Sequence, residues 1–180
     1  KPLVTDDMTS NGARGWWNDI DPTVLIDDDG QAWLCWGNGT CFLAKLKSNM
    51  IELDGDIEVI NVPRYVEGPW LHKRGDMYYL TYASMGKGKE TIAYATASSM
   101  KGPWTPQGEL TGMAENSFTI HPGIIEFNKK WYLFYHNATL TINGRAGAIG
   151  RRSVCVDELQ YAPDGKMIYV NQTKEGVAKK

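Results

Sequence analysis

Several familiar signatures are missing from this sequence. No run of about 18 apolar residues occurs, so no helix of the chain is expected to span a membrane. Positive charge is not in excess: nineteen basic residues face twenty-one acidic ones, for a formal net charge of −2. That balance argues against a nucleic-acid surface, which is usually basic. Cysteine is scarce, with Cys35, Cys41 and Cys155 the only three. They form no CxxC pair and no Cys/His zinc spacing, and are expected to be buried thiols. Cys35 and Cys41 could lie on neighbouring strands, which leaves a disulfide between them open. Long helical periodicity is absent as well. The chain opens at Lys1 with neither methionine nor a signal peptide, so this end is expected to be a processed terminus or a point inside something longer.

What remains is an ordinary globular balance, 42% hydrophobic and 22% charged, enriched in Trp and Tyr. Its dominant feature is a repeat. Three segments align: IDPTVLIDDDGQAWLCWGNG from Ile20, VEGPWLHKRGDMYYLTYASMG from Val66 and IHPGIIEFNKKWYLFYHN from Ile120. Each carries a proline, an apolar strand, a polar turn, and then aromatic-Leu-x-aromatic. Pro22 and Pro69 are 47 residues apart, and Pro69 and Pro122 are 53 apart. Four-stranded propeller blades repeat at about 40–50 residues.

The turns at Asp28–Gly30, Arg74–Asp76 and Asn128–Lys130 predict hairpins. A third strand is expected at 42–46, 91–96 and 153–156, and a weaker fourth at 57–62, around Trp104 and at 167–170. The second strands are apolar on both faces, as strands covered on both sides are. These features predict an all-β chain: a β-propeller of four-stranded blades at approximately 20–62, 66–110 and 118–171, after a lead-in over 1–19. Residues 20–180 would form the one domain. Propellers close with about 4–8 blades, so three make an incomplete ring, three of an expected five. An incomplete ring leaves apolar blade faces uncovered. A β-sandwich is the rival; it explains the strand spacing but not the repeated openings.

The openings differ in chemistry: Asp21-Pro22, Glu67-Gly68-Pro69 and His121-Pro122. In a propeller they fall at the start of the channel-lining strands and converge at one mouth. A purely structural repeat would place one residue type at all three positions. Two carboxyls and an imidazole look instead like divided roles.

With these openings the sequence resembles glycoside hydrolase family 43, five-bladed propellers that include arabinofuranosidases, β-xylosidases and arabinanases. IDPTVLIDDDG, EGPWLHKRGDMYYLTYA and HPGIIEFNKKWYLFYHN look like that family's last three blades, and the ending RRSVCVDELQYAPDGKMIYVNQTKEGV resembles its final strands. The resemblance implies that Glu67 is the general acid and that Asp21 orients it and raises its pKa. A neighbouring carboxylate would favour a protonated Glu67 near neutral pH. It also implies that His121 helps hold a hydrated calcium or sodium ion in the channel, with no organic cofactor. Arg152, or its neighbour Arg151, would meet sugar hydroxyls, and alternation along a strand admits only one of the two.

One part of the pattern is missing. Inverting hydrolysis needs a second carboxylate as general base, which the family places in its first blade. Asp6 and Asp7 precede the repeat, but no strand pattern follows them. The chain is therefore expected to be a fragment of a longer enzyme, a partial domain completed by another chain, or a chain inactive by itself. An arabinosyl or xylosyl polysaccharide is the expected partner, with self-association or a missing N-terminal half covering the open faces. Export is favoured by analogy alone. The alternatives are a carbohydrate-binding or a self-assembling half-propeller. Trp16 and Trp17 are expected at the channel mouth, to stack on sugar or to plug it. Trp70 is expected in the core, His72 inside or at an edge, Asn38 in a turn, and Lys87–Glu90 as a solvated hairpin tip. His136 has no expected role.

Overall fold

The computed structural model describes residues 1–9 and 17–178. Beyond one helical turn, α1 (Asp6–Thr9), the described residues are built from eleven strands. The first sheet runs in order β1 (Thr23–Ile26), β2 (Ala32–Trp36), β3 (Cys41–Leu46) and β4 (Glu58–Ile60). The second holds β5 (Tyr65–Arg74), β6 (Met77–Met85), β7 (Glu90–Ala97) and β8 (Thr105–Thr111). The third holds β9 (Gly123–Phe127), β10 (Lys130–Asn137) and β11 (Ser153–Leu159), with β10 central. All pairings are antiparallel, so the fold is an all-β, incomplete propeller of consecutive sheets.

Tight turns fix the registers. Arg74 pairs with Met77 across Gly75-Asp76, and Gly75 takes the positive φ of 58° that this turn demands. Phe127 pairs with Lys130 across Asn128-Lys129, both left-handed at 51° and 62°.

The apolar second strands are explained by two-sided burial. In β2, Trp33 and Cys35 enter the cluster shared with Leu71, Leu80 and Tyr82 of the second sheet. Leu34 and Trp36 point the other way, into a cluster covered by Leu3, Val4, Leu53 and Ile57. In β6, Leu80 and Tyr82 face the first sheet while Tyr79 joins Ile124, Leu133 and Tyr135 of the third. Among the described residues, the third sheet has no such second cover. Ile125, Phe127, Phe134 and Val154 remain exposed, Val154 at 81%.

The expected fourth strand at 167–170 is not formed, and the third sheet has three strands. This segment leans onto the neighbouring sheet instead. Met167 makes only an isolated bridge to Tyr161, its N–H donates to Tyr94 Oη, and the Val170 N–H donates to the Leu110 carbonyl of β8. Met167 and Val170 thereby enter the core between the second and third sheets.

Cys35 and Cys41 do lie on neighbouring strands, with sulfurs 3.5 Å apart, but all three cysteines are free thiols.

Candidate functional site

The three openings meet. One ligand atom from each of Asp21, Glu67 and His121 lies within 4.8 Å of the other two. Asp21 and His121 sit two residues before β1 and β9 rather than on them. Asp21 adopts a left-handed φ of 56°, a strained conformation of the kind that collects at functional sites. Glu67 lies inside β5, where the register with β6 shifts on both sides of it. Gly68, at φ 59°, lets the backbone pass close to the imidazole: a Cβ there would sit 3.0 Å from His121 Cγ. The bulge turns Glu67 toward His121, because the extra residues break the strict alternation of the strand.

Glu67 is held from two sides. His121 Nε2 lies 2.9 Å from its Oε1, and Asn38 Nδ2 donates to its Oε2 at 2.8 Å. Asp21 Oδ2 accepts the Gly68 N–H at 3.2 Å and lies 3.7 Å from His121 Nδ1. Glu90 feels the charge of Glu67 and accepts the Ile120 N–H at 3.0 Å through its Oε2.

These contacts set the charges. The hydrogen bond from His121 holds Glu67 below the ordinary carboxylate value, against the effect of its burial. Burial works against a charged His121, yet the bond to Glu67 and the charges of Asp21 and Glu90 raise it above 6.5. Burial raises Asp21, with Glu67 adding to it and His121 opposing. Burial likewise raises Glu90. Asp21 was expected to lift Glu67; in the structure the hydrogen bond from His121 lowers it.

Arg152, not Arg151, borders the cluster. Its Nη2 donates to Thr119 Oγ1 at 3.1 Å, and its charge acts on Asp21, Glu67 and Glu90. Arg151 donates instead to the Ala146 carbonyl. His136 is buried, contacts Thr119 Oγ1 at 3.2 Å, and meets the His121 ring edge-on with centroids 5.6 Å apart. Trp17 is 62% exposed, four residues before Asp21, and Trp16 falls outside the described residues. Trp70 donates to the Ile124 carbonyl and packs on the core. His72 is buried away from the site, stacked on Tyr79 and bonded to Tyr161 Oη at 2.7 Å.

Two residues read from sequence as plain turn positions belong to this site. Asn38 is carried in by a Gly37–Gly39 loop whose glycines both have positive φ. Glu90 is not a solvated tip but 6% exposed, because it begins the doubly covered strand β7. The signal for Glu90 was the apolar run Thr91–Ala97 that directly follows it.

The carboxylate oxygens of Asp21 and Glu67 suit a hard cation. His121 could join them only by giving up its proton, since a ligating imidazole is neutral. In the protonated state the imidazolium itself supplies the positive charge between the two carboxylates.

Comparison with known proteins gives a consistent picture. The profile described as "Glycosyl hydrolases family 43" matches residues 6–167. The chain is 33% identical to the β-D-galactofuranosidase xynD of Aspergillus niger, over 98% of this chain and 51% of that protein. Among solved structures it is similar to an α-L-arabinofuranosidase from Clostridium thermocellum, with TM-score 0.79 and 27% identity over 99% of this chain and 61% of that one. It is also similar to a β-xylosidase/α-arabinofuranosidase from a compost metagenome, solved with xylotriose in a calcium-free form. There the TM-score is 0.74 and the identity 26%, over 84% of this chain and 58% of that one. The chain thus spans about half the length of the curated relative.

Proposed function

The chain belongs to glycosyl hydrolase family 43, and from that premise we propose that it carries the acid half of an inverting glycosidase site. Glu67 is the general acid that protonates the departing glycosidic oxygen. Asp21 modulates and orients it, Arg152 meets sugar hydroxyls, and His121 is the residue through which a cation would be held. The convergence of Asp21, Glu67 and His121 within 4.8 Å carries this reading, because residues 46 and 54 apart in sequence gain nothing structural from differing in kind. The general base comes from a region outside this chain, on the opposite face of the sugar, where it activates water. The substrates are α-L-arabinofuranosyl or β-D-xylosyl linkages of plant polysaccharide, in keeping with the names of the two similar solved enzymes.

A low Glu67 pKa is compatible with this role. When a sugar displaces water, loss of solvation disfavours both charged forms, and the proton passes from His121 Nε2 to Glu67 across their 2.9 Å hydrogen bond.

The test is Glu67→Gln in the complete protein, assayed on an aryl arabinofuranoside and an aryl xyloside. Removing a general acid is expected to lower kcat by about 10²–10⁴-fold. An unchanged rate on both substrates removes Glu67 from the acid role. A second reading, carbohydrate binding without turnover, is favoured by the His121 hydrogen bond that lowers Glu67. Calorimetry on this chain with arabinoxylan oligosaccharides separates the two, since binding without product supports the second.

A further inference from the structure

The segment joining β10 to β11, residues 138–152, holds three arginines and no acidic residue, in a chain of net charge −2. Its sequence builds a local hairpin. Asn143 and Gly144 both adopt left-handed angles, φ 51° and 74°. Across them, Ile142 and Arg145 exchange backbone hydrogen bonds of 3.1 and 2.9 Å. Asn-Gly is the pair this two-residue turn prefers. The turn brings Arg145 to the same cavity as Arg151 and Arg152, a space of about 410 Å³ also lined by Leu140, Ile142 and Ser153.

No carboxylate among the described residues lines this cavity. Among the described residues, none of its three arginines forms a salt bridge, whereas Lys73, Lys101 and Lys130 each do. Three like charges around one space repel, and an anion placed among them relieves that repulsion. The guanidinium fork fits a carboxylate in two parallel hydrogen bonds. The volume lies within the range of about 300–1,000 Å³ typical of small-molecule sites. Leu140 and Ile142, 55% and 58% exposed, offer an apolar wall for the C–H face of a sugar ring. Arg152 links the cavity to the carboxylate cluster through Thr119, two residues before His121.

We propose that the cavity of Arg145, Arg151 and Arg152 binds a uronic acid, a sugar whose exocyclic C6 is a carboxylate, carried on the polysaccharide beside the linkage presented to Glu67. The identity of the polymer rests on the glycosidase reading; recognition of the carboxylate rests on the cavity alone. A neutral sugar would offer Arg145 and Arg151 no counter-charge. A bare inorganic anion would make no use of the apolar wall.

The experiment titrates the full chain with glucuronic acid, glucose and inorganic sulfate, following backbone amide shifts by NMR. Glucuronic acid is expected to bind at least tenfold more tightly than glucose, with shifts centred on residues 140–153. Arg145→Ala and, separately, Arg151→Ala are each expected to weaken it at least tenfold. Arg145→Lys, which keeps the charge without the fork, should fall between. Equal affinity for glucose and glucuronic acid overturns the proposal, as does glucuronic acid binding that both alanine variants leave intact. Sulfate binding as tightly as glucuronic acid overturns the sugar assignment. Because binding is read without turnover, a failure of Glu67 as the acid would leave these outcomes distinct.

Discussion

Glu67 draws its two side-chain donors from different sheets, Asn38 from the first and His121 from the third. Its state is thus a property of the assembled sheets, and the histidines report it. His121 is raised above 6.5 by its carboxylate neighbours, whose pull exceeds the effect of burial. Burial lowers His136 to about 4, with the charges of Arg152 and His121 adding to the effect, and burial lowers His72 to about 3. Imidazole C–H resonances followed against pH should therefore show one histidine titrating above 6.5 and two that stay neutral until about pH 4 and 3. The signs have opposite consequences for stability. The His121 contribution is fully present below pH 6.5 and is lost as pH rises through its raised value. His72 and His136 contribute above pH 6.5, and their contribution is lost as pH falls toward their lowered values. His72→Phe should then flatten the fall in Tm between pH 6.5 and pH 4, measured by calorimetry. An equally steep fall would show that other groups govern acid unfolding.

At the scale of the element, β5 does two jobs. Its N-terminal end bulges to present Glu67 and pack Gly68 under the His121 ring. Its C-terminal end is clasped to the first sheet by Lys73, which bonds Asp27 at 2.7 Å and Asp28 at 3.0 Å. Gly68 and Gly75 have nearly the same φ, 59° and 58°, but only Gly68 would meet a neighbour. Gly75→Ala should cost the backbone term alone, about 1–2 kcal/mol. Gly68→Ala should cost more and also shift the His121 resonances, by pushing the ring from Glu67. Denaturant melts of the two variants, with the imidazole spectrum, check this. Equal losses and an unmoved His121 would mean that the Gly68 contact does not position the ring.

For the whole molecule, the two outer sheets end differently. The outer face of the first is partly covered by Leu3, Val4, Leu53 and Ile57. The outer face of the third leaves Ile125, Phe127, Phe134 and Val154 exposed. A contiguous apolar face of this kind favours association. The isolated chain is expected to self-associate in light scattering at micromolar concentration, and Phe127→Lys with Val154→Lys should shift it toward monomer. A wild-type chain that stays monomeric would count against this.

The repeat made Asp21, Glu67 and His121 legible, because three openings in one register can be compared position by position. The strands were legible for a similar reason: two-sided burial of β2 and β6 writes itself as continuous apolar sequence. Residues 167–170 misled, since an apolar stretch reads alike whether it pairs in its own sheet or leans on the next. Asn38 and Glu90 were hidden because a polar residue in a turn carries no mark of what another sheet brings to it.

By itself, then, the sequence determined the all-β class, the repeated units and the three residue types at the openings, all of which depend on local pattern and spacing. Only the tertiary structure decided which atoms meet: that Arg152 rather than Arg151 borders the cluster, that Asn38 and His121 hold Glu67, and that His121 lowers Glu67 while the carboxylates raise His121. Those outcomes depend on burial and on charges a few ångströms apart, set by the packing of one sheet on another.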